Sequence, residues 1–283
     1  MKLKLPVCLY LFSNTQVPLY DSHLHLQDPR LKSVLNDLSK TYASLGVERV
    51  VVNGTEEGDW EGVGQLSELF PFVKPAFGLH PWYIFNRSAH WLGNLEYCID
   101  HYQGFVGEIG LDRWIQNHDF DDQVDVFKQQ LQLAARKNVP ASIHCLNAWG
   151  RMLDILEEET LPKVGVLLHS YGGAQEMVPQ LAELGCYFSF SGYFLLDRKA
   201  KARATFKTIP IDRILVETDA PDQRLPEDKE LHPLPADEDG KTVNHPGNIG
   251  VVYEGLAQVL GMPVERLVEQ VEENYQRIFG DVG

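Results

Sequence analysis

This chain is short of basic charge. Lysine and arginine total 25 against 40 aspartate and glutamate, for a net charge of −15, whereas a protein that grips duplex nucleic acid along its phosphates needs a basic face. Any nucleic-acid role is therefore confined to chemistry at a few phosphates. Cysteine is scarce as well. Cys8, Cys98, Cys145 and Cys186 stand apart with no CxxC pair, which argues against a zinc knuckle or a disulfide framework and for reduced thiols in the cytoplasm. No run approaches the roughly 20 apolar residues of a membrane span, so no membrane partner is expected. In residues 1–18, Lys2 and Lys4 precede the apolar stretch from Leu5 to Phe12, but the small-x-small cleavage pattern of a signal peptide is missing. That segment reads as a plain N-terminal extension.

What is present is an alternation. Apolar runs at 47–52, 73–79, 105–109, 140–144, 164–169, 186–190 and 211–217 read as strands, and a first strand leads into Asp21-Ser22-His23-Leu24-His25. Helical periodicity separates them at 31–45, 59–70, 91–102, 120–137, 148–158, 174–184 and 197–206, and two more helical patterns, 249–260 and 264–279, follow the last strand. Eight strands each followed by a helix predict parallel strands closed into a (β/α)8 TIM barrel, a single α/β domain spanning 19–283. A doubly wound open sheet would normally place a glycine-rich phosphate turn after the first strand. Here that position holds His-Leu-His. The one long irregular stretch, 221–246, follows the last strand on the face where barrel enzymes keep their sites.

His23 and His25 lie two apart, so a strand projects both imidazoles to one side. The carboxyl ends of the other strands add His80, Glu108, His144, His169 and Asp219. Singly, each has an ordinary explanation as a hydrogen-bonded core histidine, a paired carboxylate or a turn former. Together they require several costly buried polar groups at one end of the barrel, and a metal site removes that cost. Even with His80 set aside, four histidines and two carboxylates exceed one tetrahedral zinc and suggest two divalent cations, Mg, Mn or Zn. Glu108 is the natural bridge, with His23, His25 and Asp219 on one cation and His144 and His169 on the other. Such a pair acidifies water for attack on an ester, and Asp219 is the candidate general base.

The blocks Asp21-Ser22-His23-Leu24-His25, Gly78-Leu79-His80-Pro81, Gly107-Glu108-Ile109-Gly110-Leu111-Asp112, Ile143-His144, Leu168-His169, Glu217-Thr218-Asp219-Ala220-Pro221, Asn244-His245-Pro246 and Asn274-Tyr275-Gln276-Arg277-Ile278-Phe279, in that order, resemble the TatD family of metal-dependent deoxyribonucleases. The resemblance implies a TIM barrel of the amidohydrolase-like superfamily. It also implies metal positions at His23, His25, Glu108, His144, His169 and Asp219, and DNA as substrate, cleaved 3′ to 5′ from single-stranded ends. No obligatory protein partner is evident.

Three departures surround the pocket. Leu146-Asn147-Ala148 stands where relatives commonly carry Arg-Asp-Ala, His169-Ser170-Tyr171-Gly172-Gly173 where they have a His-Cys-Phe-Ser-Gly type sequence, and the loop after Asp219 is enlarged. Substrate contacts then fall to His80, Arg113, Asn147, Arg224 and His245, with Trp82, Tyr83, Trp114 and Trp149 available to stack on bases. The alternative expectation is a hydrolase of the same superfamily acting on a lactone, an amide or a small phosphoester.

Overall fold

The computed structural model describes residues 18–115 and 119–280. The expected N-terminal extension, up to Val17, and Cys8 within it lie outside the described residues. Eight strands form one sheet in sequence order: β1 Leu19–Leu24, β2 Val47–Asn53, β3 Val73–Phe77, β4 Phe105–Asp112, β5 Ala141–Leu146, β6 Val166–Leu168, β7 Cys186–Ser191 and β8 Ile214–Glu217. Every ladder between neighbours is parallel. Helices α1 Leu35–Leu45, α2 Glu57–Leu69, α3 Trp91–Tyr102, α4 Phe120–Lys137, α5 Trp149–Glu158, α6 Val178–Glu183 and α7 Ala200–Phe206 supply the crossovers, and α8 Ile249–Leu260 and α9 Val264–Phe279 follow β8. This is the expected (β/α)8 barrel. Helices cover its outer face and side chains fill its interior, so β1, β7 and β8 are buried at every residue.

Periodicity located the long helices to the residue at 91–102, 120–137, 249–260 and 264–279. Shorter segments differ. The stretches expected as helices at 174–184 and 197–206 open with 3-10 turns, Gln175–Met177 and Asp197–Lys199, and the strand expected from 211 starts only at Ile214, after a turn entered from Pro210. A single turn adds few backbone bonds, and tertiary packing decides its form.

The seam between β1 and β8 is closed by side chains and strand ends rather than by a ladder. Ser22 Oγ donates to the Val216 carbonyl at 2.9 Å. Buried Asp21 accepts from the Thr218 hydroxyl at 2.6 Å and from the Thr218 amide at 3.0 Å. Beyond the strands, Asp219 N–H donates to His23 O at 3.0 Å and His25 N–H to Ala220 O at 2.8 Å. The seam thus brings the His23-Leu24-His25 stretch and Asp219 to one spot.

Candidate metal centre

Close backbone approach comes first. Gly110 has φ 148 and pairs with His144 across the β4–β5 ladder, and a Cβ there would stand 1.9 Å from the His144 carbonyl oxygen. A Cβ on Gly78 would meet the Glu108 carbonyl oxygen at 2.7 Å. The glycines flanking the histidine and glutamate blocks therefore let neighbouring strand ends converge. Helix α4 then pins two of them. Its buried Gln123 and Gln130 are two turns apart on one face. Gln130 accepts from Leu79 N–H at 2.7 Å and donates to Leu79 O at 3.2 Å, and Gln123 accepts from Asp112 N–H at 2.8 Å and donates to Asp112 O at 3.0 Å. The residue before His80 and the end of β4 are both held this way.

Five imidazoles face one carboxylate. Glu108 Oε2 lies 3.4 Å from His23 Nε2 and 3.3 Å from His25 Nε2. Glu108 Oε1 lies 2.8 Å from His169 Nε2, 3.1 Å from His144 Nδ1 and 3.4 Å from His80 Nε2. Asp219, at a left-handed φ of 51 that aspartate tolerates, brings Oδ1 to 3.6 Å from His23 Nε2 and 3.5 Å from His25 Nε2. Three sets of donor atoms lie within 4.8 Å of one another: His23, His25 and Asp219; His23, Glu108 and His169; His80, Glu108 and His144. Nitrogen and carboxylate donors this close fit divalent cations. The structure therefore brings all six expected metal residues together. It also draws His80, expected only as a substrate contact, into the cluster.

Behind four of the five imidazoles a polar group stands at the far ring nitrogen, the arrangement that orients metal-binding histidines. The Ser142 hydroxyl sits 2.8 Å from His23 Nδ1, and the Asn53 carbonyl 2.8 Å from His25 Nδ1. Asp112 Oδ2 sits 3.1 Å from His144 Nε2. Glu217 Oε1 sits 3.7 Å from His169 Nδ1, a charge contact rather than a hydrogen bond, and the carboxylate accepts short hydrogen bonds from the Ser170 hydroxyl on Oε1 and from the Ser189 hydroxyl on Oε2. Burial opposes ionisation of Glu108, but the facing imidazoles of His169, His80 and His23 hold its carboxyl well below the usual range. Burial also opposes ionisation of Asp112, and its bonds to His144 and Trp82 outweigh that and bring it to about 2. Burial keeps His80 neutral, well below an ordinary imidazole. The sequence reading singled out none of Ser142, Asn53, Asp112 or Glu217 for a role. Asp112 and Glu217 lay inside motif blocks, and only their distance from an imidazole reveals what they do.

Other expected contacts lie outside the cluster. Arg113 is exposed, with its guanidinium 4.0 Å over the Phe120 ring. Arg224 is committed to Glu230 at 2.5 and 2.7 Å. Asn147 is exposed at a φ of 55. His245 accepts from Gly247 N–H at 2.8 Å, stacks on His232, and is lowered by burial to about 4. Among the four aromatics, Trp149 packs edge-on against Tyr171 and Tyr83 is half-buried, while Trp82 and Trp114 face solvent. No helix among the described residues is long and apolar enough to cross a membrane.

A family model described as TatD related DNase matches residues 20–280. A Bacillus subtilis protein named uncharacterized metal-dependent hydrolase YabD is 29% identical over 92% of this chain and 98% of its own. The protein of Escherichia fergusonii named 3′-5′ ssDNA/RNA exonuclease TatD is 27% identical over 93% of this chain and 99% of its own. Among solved structures, that of YJJV, a TatD homolog from Escherichia coli K12, has a TM-score of 0.84 over 94% of this chain and all of that one, at 24% identity. This last is a likeness of fold.

Proposed function

The chain belongs to the TatD family of metal-dependent deoxyribonucleases, hydrolases of ester bonds, and on that premise we propose that it is a two-cation exonuclease working 3′ to 5′ on single-stranded DNA. One observation carries the reading. The two oxygens of Glu108 face different donor sets, His23 and His25 on one side and His144 and His169 on the other. His23, His25, Asp219 and Glu108 Oε2 would hold one cation, and His144, His169 and Glu108 Oε1 the second. When bound, Mg²⁺, Mn²⁺ or Zn²⁺ supplies Lewis acidity that acidifies water and neutralises charge on phosphoryl oxygens.

The chain's own residues do the rest. Asp219 takes the proton of the attacking water on its carboxylate. Trp82 N–H donates to His80 Nδ1 at 3.2 Å, so a neutral His80 carries its proton on Nε2, aimed at the cluster. From there it donates to a phosphoryl oxygen. The exonuclease named in Escherichia fergusonii supports the polarity and the single-stranded preference. A second reading, a lactone, amide or small-phosphoester hydrolase, draws on Leu146-Asn147 and on the arginines engaged within the chain.

The test is an oligonucleotide labelled at its 5′ end and incubated with the metal-loaded protein. The expected product is a ladder shortened from the 3′ end, abolished by a chelator and restored by added cation. Intact DNA across all three metals, with turnover of a lactone or dipeptide, would reverse the choice between the two readings.

A further inference from the structure

Trp82 and Trp114 are 38% and 64% exposed, with ring centroids 6.4 Å apart. Single exposed aromatics are ordinary, but adjacent ones form an apolar patch of the kind that meets a partner, and these two are tied to the centre by one side chain. Asp112 Oδ2 accepts from Trp82 Nε1 at 2.7 Å and lies 3.1 Å from His144 Nε2, while its Oδ1 accepts from Trp114 N–H at 2.6 Å. The Trp82 ring also meets His80 edge to face, centroids 5.1 Å apart. The indole faces therefore stand one side chain away from the residues proposed to act on a phosphate. The Trp82 ring is held by its own Nε1–H, and Trp114 is held through its backbone N–H.

The charge pattern says what such faces would meet. The chain carries a net charge of −15. Arg224 is spent on Glu230, Arg113 lies over Phe120, and Arg30 is bonded to both Asp28 and Asp222. Phosphate grip along a strand is thus weak, and a single-stranded ligand must be held by another part of the nucleotide. Stacking on aromatic rings supplies that, tolerates any base, and requires the base to be unpaired. We propose that Trp82 and Trp114 form a platform for an unpaired nucleobase beside the scissile phosphate. It selects single-stranded ends by their bases. The inference rests on the DNA-hydrolase reading and adds the subsite that would give its preference for single strands.

The experiment compares two single-stranded oligonucleotides of one length, one intact and one with its three 3′-terminal bases replaced by abasic residues. Wild-type protein should cleave the intact end about ten-fold more efficiently, or more, in kcat/KM. Trp114→Ala should raise KM for the intact end by a similar factor and leave the abasic substrate unchanged, and Trp114→Phe should restore most of the loss. Indole fluorescence supplies a readout free of turnover: the intact strand quenches Asp219→Asn protein and the abasic strand does not. Cleavage with no difference between the substrates, or a Trp114→Ala variant that keeps the wild-type ratio, would refute the platform and leave the nuclease reading standing. Failure to cleave any DNA would overturn both.

Discussion

The two halves of the centre are built from the same ring but backed by different chemistry. His23 and His25 lean on neutral groups, the Ser142 hydroxyl and the Asn53 carbonyl, and the negative charge beside them is Asp219 in the ligand set itself. His144 and His169 have no such neighbour on their own side. Their charges stand behind them, in Asp112 and Glu217. A carboxylate behind an imidazole raises its basicity and fixes its orientation, so under the two-cation proposal each half would meet its dication with negative charge, placed directly in one and one layer back in the other.

Glu108 belongs to both halves, and its removal should have the largest effect. Glu108→Gln keeps the shape and deletes the shared charge, so both cations should be lost together in a calorimetric titration. Turnover should then fall by about 10³-fold, the several kcal/mol that bound cations contribute to a charged transition state. Loss of one cation alone would show that the carboxylate serves a single half. The next effect should separate the halves. Asp112→Asn or Glu217→Gln should weaken only the second cation, by about 10–100-fold, with the first retained by metal analysis after dialysis. Ser142→Ala should weaken only the first, and by less, since a neutral hydrogen bond contributes about 1 kcal/mol. Equal losses from all three variants would erase the distinction.

How much of this could be read in the sequence follows from where the information lies. The convergence of the six expected metal residues was legible because each was placed at the end of an apolar strand, and parallel strands put those ends on one face. The long helices were legible by period, while the short ones were altered by turns whose form depends on packing. Asp21 shows the limit. It reads as the first letter of a motif, yet its carboxyl joins β1 to Thr218 at the seam, a partner 197 residues away. Gln123 and Gln130 sit on α4 like any polar helix residues, and only folding turns them toward β3 and β4. His80 was expected as a substrate contact at a strand end. Its distance from Glu108 could come only from coordinates.

The smallest effect concerns acid, which would otherwise blur the comparison, because protons compete with cations for every imidazole. The rim contributes a pH dependence of its own. Burial lowers His245 to about 4 from an ordinary 6.5. A histidine lowered in the folded state binds fewer protons there than when unfolded, so the stability it contributes is complete above about 6.5 and is lost as pH falls toward 4. The full shift would amount to roughly 3 kcal/mol; for a ring partly open to water, solvent screening reduces this to about 1–2 kcal/mol. His245→Asn keeps an acceptor for Gly247 N–H and removes the titration. Its melting temperature should therefore fall less than that of wild type between pH 6.5 and 4.5. If the two curves stay parallel, the rim has no part in acid sensitivity, and any loss of cations in that window belongs to the histidines of the two halves.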